Sequence, residues 1–222
     1  MLSKTRGIVF RFVRYGDTSI IVNIFTEVHG MQAYIVNGVR SKTGKGRIAL
    51  FQPLTLLDMV VYHRHQANIN RIKEVKCYYP YHSIPIDIRK SSIAIFLNEM
   101  LNKTVKEESQ TDSLFEFLSS SLEMLDRMQD HFENFHLVFL FKLSRYLGFG
   151  AHNVNEVLGP RMASPAEEKL LEQLIQSDYA APIEVSSAQR RVLLELVLKF
   201  YADHLDSLGE IKSVQVLKEV LG

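Results

Sequence analysis

Two hydrophobic periods divide this chain. Up to about residue 77 apolar side chains recur at alternate positions in short runs, and from residue 79 onward they recur at steps of three and four. The first pattern is that of strands with one buried face, the second that of helices. Residues 7–14 set Val9, Arg11 and Val13 against Phe10, Phe12 and Arg14, and Tyr15-Gly16-Asp17 turns the chain. Residues 19–26 are rich in β-branched side chains and end near Gly30; residues 31–36 run up to Asn37-Gly38, a pair that accepts positive φ. Residues 54–62 start behind Pro53, and residues 68–77 alternate less regularly through Ile69, Ile72, Val75 and Cys77. Five short strands, with turns roughly every 8–12 residues, predict a small closed or nearly closed barrel. Residues 39–47, Val-Arg-Ser-Lys-Thr-Gly-Lys-Gly-Arg, interrupt the rhythm between the third and fourth strands as a hydrophilic loop with four positive charges. A five-stranded barrel with a long basic loop has the outline of an OB-fold.

Beyond Pro80 and Pro85 the helical period takes over. Ser83 or Asp87 can cap a helix whose Ile93, Phe96, Leu97, Met100 and Leu101 share one face. A second helix starts between Ser109 and Asp112 and carries Leu114, Phe115, Phe117, Leu118, Leu122 and Leu125. Residues 135–147 are apolar nearly all round, the mark of a central bundle helix, and Gly148 and Gly150 end it. Ser164-Pro165-Ala-Glu-Glu combines an N-cap, a proline at the first helical position and acids in the first turn. Ser186 or Ser187 opens another helix through Phe200 and Tyr201, and residues 212–221 form a short last one. The expected fold is therefore α+β in two domains: an OB-fold over residues 1–80 and an all-helical bundle over residues 81–222.

Charge follows the same division. Residues 1–80 hold twelve Lys and Arg against four acids, net +8, while the rest holds fourteen bases and twenty-one acids, net −7, so the total of +1 conceals two opposed halves. A basic module that touches a polyanion and an acidic one that touches proteins fit this split. The single Cys77 excludes a disulfide framework and leaves no cysteine pair for a zinc finger. No apolar run approaches the roughly 18–20 residues of a membrane span, so a cytoplasmic protein without a membrane partner is expected. Enzyme motifs fail on spacing. Gly38 to Gly44-Lys45 has one residue too many for a phosphate-binding P-loop, and Gly46 stands where Ser or Thr must hold Mg²⁺. Gly148-Phe-Gly150 has no third glycine, and His63 with His65 gives two ligands where structural zinc needs about four. No catalytic residue, metal site or cofactor is expected.

Four motifs in order carry a resemblance: Arg14-Tyr-Gly-Asp-Thr-Ser-Ile-Ile-Val, Phe25-Thr-Glu-Val-His-Gly, Val36-Asn-Gly-Val-Arg-Ser-Lys and Phe51-Gln-Pro-Leu-Thr-Leu-Leu. Together with Phe141-Lys-Leu-Ser-Arg-Tyr-Leu-Gly-Phe149 and Ile211-Lys-Ser-Val-Gln-Val-Leu-Lys, they resemble the bacterial recombination mediator RecO family over almost the whole chain. The resemblance implies an N-terminal OB-fold and a helical C-terminal domain. It also implies binding of single- and double-stranded DNA, annealing of complementary strands, and cooperation with RecR to load RecA onto DNA coated by single-stranded DNA-binding protein. Many members carry a four-cysteine zinc site after the Leu-Gly-Phe turn. This chain has no cysteine between Gly150 and Pro182, so that site is excluded.

For DNA, the candidates are Arg40, Lys42, Lys45 and Arg47 on the loop, with Arg11, Arg14, Arg71 and Lys73 on strands, because phosphate contacts give affinity without sequence preference. Single strands also need stacking platforms, for which Tyr15 beside its turn glycine leads Phe12, Tyr34 and Tyr62. In the helical domain the resemblance implies a pocket for the acidic, hydrophobic C-terminal tail of single-stranded DNA-binding protein. Lys142 and Arg145 supply cations there, with Phe141 and Phe149 as apolar neighbours. From the residues alone two other readings stay open: an OB-fold module of RNA metabolism, and a hydrolase or transferase with its site in the helical domain.

Overall fold

The computed structural model describes residues 1–41, 46–64, 67–106 and 111–221. Strands β1 (Leu2–Tyr15), β2 (Ser19–Thr26), β3 (Gly30–Val36), β4 (Leu56–Tyr62) and β5 (Asn70–Tyr79) form a closed barrel in the order β1-β2-β3-β5-β4. All neighbours are antiparallel except β3 and β5, which run parallel at Tyr34 and Ile35 against Asn70 and Arg71. Helices α1 (Ile88–Thr104), α2 (Thr111–Arg127), α3 (Phe135–Tyr146), α4 (Val154–Leu158), α5 (Pro165–Gln176), α6 (Ser187–His204) and α7 (Ser213–Leu221) follow. The expected OB-fold barrel and helical C-terminal part are both present. The five-residue α4 has no signal in the hydrophobic period, being shorter than two helical turns.

Closure depends on β1, whose fourteen residues pair with β4 at one end and with β2 over the other. Where the two pairings overlap, the strand is pinched. A Cβ on Gly7 would stand 2.5 Å from Met59 Cε and 2.6 Å from Ile24 Cγ2, inside the barrel. The interior is filled by Val9, Ile20, Val22, Ile24, Tyr34, Val36, Leu57, Met59 and Val61. A short 3-10 helix, Arg47–Phe51, inserts Phe51 into this core, and Val39 enters it from the other end of the same connection. Two buried anchors thus bracket the basic loop.

The chain forms two compact units, Met1–Tyr81 with Val105–Glu123, and His82–Thr104 with Met124–Gly222. In the first unit, α2 lies over outward-facing apolar residues of β1 and β2. The Phe10 ring is 5.9 Å from Phe25, and Phe25 stacks 6.4 Å from Phe115. Arg6 sits 5.0 Å from the Phe115 ring centre and bonds both Glu27 and Glu116. This explains why Phe25 is fully buried although it does not point into the barrel.

In the second unit α3 is central. It is buried from Phe135 to Leu143 with only Lys142 interrupting, and it packs against α1, α5 and α6. Tyr201 on α6 donates to Leu140 O at 2.6 Å. Residues 82–84 are held by the Asp126 carboxylate, which accepts from the backbone N–H groups of His82, Ser83 and Ile84 at 2.8–3.1 Å. Lys90, almost fully buried, donates to Ser83 Oγ at 2.6 Å and to the carbonyls of Asp126 and Met128 at 3.0 and 2.5 Å. Ser164 and Ser186 cap α5 and α6 with complete capping boxes, as the sequence predicts for both starts.

Two stability measurements check these constraints. Gly7→Val should cost about 1–3 kcal/mol in urea denaturation, because Ile24 is β-branched and cannot rotate its methyl away. Asp126 responds to burial, which raises its pKa, but the bonds from His82, Ile84 and Ser83 outweigh this and hold it below the ordinary carboxylate value. A lowered native pKa stabilises the fold above the unfolded value of about 4 and ceases to do so as pH falls through the native one. The gap between wild type and Asp126→Asn should therefore be about 2–3 kcal/mol at pH 6 and close below about pH 4.

Candidate nucleic-acid interface

The register of β1 decides which side chains face outward. A bulge moves the pairing with β2 from Val9 opposite Ile24 to Arg11 opposite Asn23, leaving Phe10 as the extra residue. Without it, Arg11 and Val13 would share the inward phase of Val9, as strict alternation predicts. With it, Phe12 packs against the core, while Arg11 and Val13 face out, Val13 at 55% exposure.

Cross-strand partners lie on one side of a sheet, so the register also assembles rows. Val13 stands opposite Ile21, Ile21 opposite Ile35, and Ile35 beside Arg71, which in turn faces Tyr62. The next row is Arg11, Asn23 and Ala33. The span from β1 to β5 is about 14 Å at ~4.8 Å per strand. The surface is shallow and apolar in its middle, with arginines at both margins. At the end of the barrel, Tyr15 is 53% exposed and Arg14 is exposed beside it. Arg40 ties the basic connection to this corner: its N–H donates to Thr18 O at 3.0 Å and its guanidinium to Gly16 O and Ser19 O at 3.2 and 3.4 Å.

Ion pairing separates this face from the rest of the barrel. Arg6, Lys73 and Lys76 are engaged by Glu27 and Glu116, by Glu74 at 3.5 Å, and by Asp58 at 3.3 Å. These pairs surround a groove of about 650 Å³ lined by both signs of charge, with Lys4 among them. In contrast, Arg11, Arg14, Arg47, Arg64 and Arg71 have no carboxylate partner among the described residues.

The residues expected from the sequence fare differently. Arg11 lies in the outward layer of β1 and Arg71 in the same layer on β5, Arg14 and Tyr15 are exposed at the end of the barrel where Arg40 is tied down, and Arg47 is exposed at the start of the 3-10 helix. Lys42 and Lys45 lie outside the described residues, as does His65. Lys73 falls at the second irregularity, where β4 steps from Val60–Glu74 to Val61–Ile72, and it pairs with Glu74 instead of standing free. Of the stacking candidates, Tyr34 is fully buried and Phe12 packs inward, while Tyr62 is 45% exposed beside Arg71. Burial pushes the Tyr34 hydroxyl well above its ordinary pKa. Sequence reasoning missed Val13, Ile21, Ile35 and Arg64. The signal for the two isoleucines was present, since each sits between inward-facing neighbours and must point out.

In the helical unit, Phe141 is 2% exposed and belongs to the core, so it does not line a surface groove. Phe149 packs 5.6 Å from Phe200 and 4.9 Å from His204. Lys142 Nζ reaches Asp178 Oδ1 at 2.5 Å, and Arg145 donates to Ile175 O at 2.7 Å. The four residues do not form one open pocket, because positions 141 and 142 of a helix point about 100° apart. Among the described residues no three His, Cys, Asp or Glu side chains come together as metal ligands, and no helix is long and apolar enough to cross a membrane.

Comparison with known proteins fits this architecture. Residues 1–81 match the family model described as Recombination protein O N terminal, and residues 86–159 match Recombination protein O C terminal. The chain belongs to the RecO family. The DNA repair protein RecO of Flavobacterium psychrophilum is 35% identical over 99% of both chains. Those of Bacteroides fragilis and Phocaeicola vulgatus are 36% and 34% identical, again over 99% of each. The barrel is thus the N-terminal OB-fold of a RecO-family DNA repair protein.

Tyr34→Phe separates core from interface. The hydroxyl is buried with no hydrogen-bond partner among the described residues, so its removal should be neutral or should stabilise the barrel by up to about 1 kcal/mol in urea denaturation, with DNA affinity unchanged.

Proposed function

We propose that this RecO-family protein binds single- and double-stranded DNA on the outward face of β1, β2 and β3, anneals complementary strands, and helps RecR load RecA. The observation that supports the reading is that Arg11 and Arg71, in the outward layer of β1 and β5, and Arg14, exposed at the adjoining end of the barrel, have no carboxylate partner among the described residues, while Arg6, Lys73 and Lys76 are ion-paired. Free guanidinium groups release counterions when they meet phosphates, and compensated ones gain little. Tyr15 and Tyr62 offer rings on which bases stack, and Val13, Ile21 and Ile35 give an apolar floor without base-specific donors. Sequence-independent binding follows from that composition. Annealing follows if two strands share one neutralising surface, since their mutual repulsion is then screened. No nucleotide or metal is required for that step. The setting we propose is the cytoplasm, with chromosomal DNA.

For the helical unit we propose docking of the acidic, hydrophobic tail of single-stranded DNA-binding protein on α3, with Lys142 and Arg145 as its cations. Such a contact would bring the annealing surface to protein-coated strands.

The triple variant Arg11→Glu, Arg14→Glu, Arg71→Glu tests the DNA face. Loss of three phosphate contacts should lower the slope of log affinity against log salt by about 2 on single strands and weaken binding at least tenfold at low salt. Annealing of complementary oligonucleotides should fall in parallel, while Lys4→Glu, Lys76→Glu should change affinity less than threefold. Unaltered affinity and slope in the triple variant, or a preference for RNA over DNA, would sink the assignment.

A further inference from the structure

With α3 read as a docking site for an acidic tail, the question is what occupies that site in the free protein. After α5 ends at Gln176, residues 177–182 continue without helix or strand. Asp178 Oδ1 lies 2.5 Å from Lys142 Nζ, and the same ammonium is 5.5 Å from the centre of the Tyr179 ring. That ring stacks on Phe135 with 4.2 Å between centroids and 11° between planes. An acidic, aromatic peptide needs two things from α3, a cation for its carboxylate and an aromatic face for its side chain. Both are already engaged by a carboxylate and a ring of the chain itself, at adjacent positions.

We propose, resting on the docking reading of α3, that residues 177–182 are an internal stand-in for the tail, a strap that lifts from α3 when an acidic, hydrophobic C-terminal peptide binds. The strap is built to move in its middle and not at its ends. Arg145 holds the end of α5 through Ile175 O, and on the far side Asn134 donates to Ile183 O at 2.8 Å and Arg190 to Val185 O at 3.1 Å. Between these pins, Asp178 is 84% exposed, so its ion pair with Lys142 is solvated and contributes little. A tail with several carboxylates offers Lys142 more negative charge than one aspartate can. The strap therefore sets the apparent affinity, which is the intrinsic affinity reduced by the fraction of molecules in which α3 is uncovered.

The test uses the full chain and a labelled octapeptide with three aspartates and a C-terminal phenylalanine bearing a free carboxylate, followed by fluorescence anisotropy. Asp178→Ala, Tyr179→Ala should bind the peptide about five- to tenfold more tightly than wild type, for a strap that leaves α3 open in roughly a tenth of molecules. Lys142→Glu should weaken binding strongly. In the wild type the peptide should speed hydrogen exchange at residues 178–181, a readout independent of any substitution. If Lys142→Glu weakens binding while the strap variant binds no better than wild type, or if exchange at 178–181 does not rise, the strap proposal is overturned and the α3 reading stands. If neither variant alters affinity, the α3 reading falls and the strap with it.

Discussion

Closure of the barrel depends on one long strand that serves its two partners with different stretches of its length. β1 hands its early residues to β4 and its later ones to β2, and every other feature of the first unit inherits that geometry. Where the strand changes partner, a side chain at position 7 would collide with Met59 and Ile24, so only glycine fits. Three residues further on, the bulge at Phe10 exchanges the strand's faces. Closure and bulge are linked, since tight barrels need local extra twist and bulges supply it. The consequence reaches the surface: Arg11 and Val13 are turned outward by this irregularity.

Electrostatics then divides the outside of the barrel. Arg6 is drawn into a triad with Glu27 and Glu116, and its pKa is raised chiefly by the hydrogen bond to Glu27. Lys76 faces Asp58 across β4 and β5. Such pairs hold α2 and neighbouring strands in place and leave little charge for a ligand. The arginines of the β1–β2–β3 side have no such duty. A net charge of +8 over the first eighty residues is therefore an average over a compensated side and a free one.

The helical unit uses its charges differently. Asp126 and Lys90 are buried and spend their hydrogen-bonding capacity largely on backbone groups, which fixes residues 82–84 and the end of α2. Glu99 accepts from the N–H groups of Lys212 and Ser213 and so anchors the start of α7. In the region where many family members carry a zinc site, Val157, Leu158, Leu170, Leu171, Leu174 and Ile175 are buried on α4 and α5. Apolar packing and the bond from Arg145 to Ile175 O hold α5 to α3 here.

Much of this was written locally. The two hydrophobic periods, the glycine-marked turns, the caps at Ser164 and Ser186 and the division of charge involve neighbours in sequence, and they determined the barrel, the bundle and the basic character of the first domain. The allegiance of α2 did not follow from its period, because an apolar stripe says that a face is buried and not against what; Phe25 meeting Phe115 and Arg6 meeting Glu116 join residues 105–123 to the barrel's unit. Likewise, Lys73 and Arg71 look alike in sequence, and a bulge with a neighbouring glutamate distinguishes them. Phe141 and Lys142 looked like one site, yet helical geometry sends one into the core. The tertiary structure decided face, phase and pairing, because each depends on residues that are distant along the chain, as Glu116 is from Arg6, and meet only once the barrel has closed.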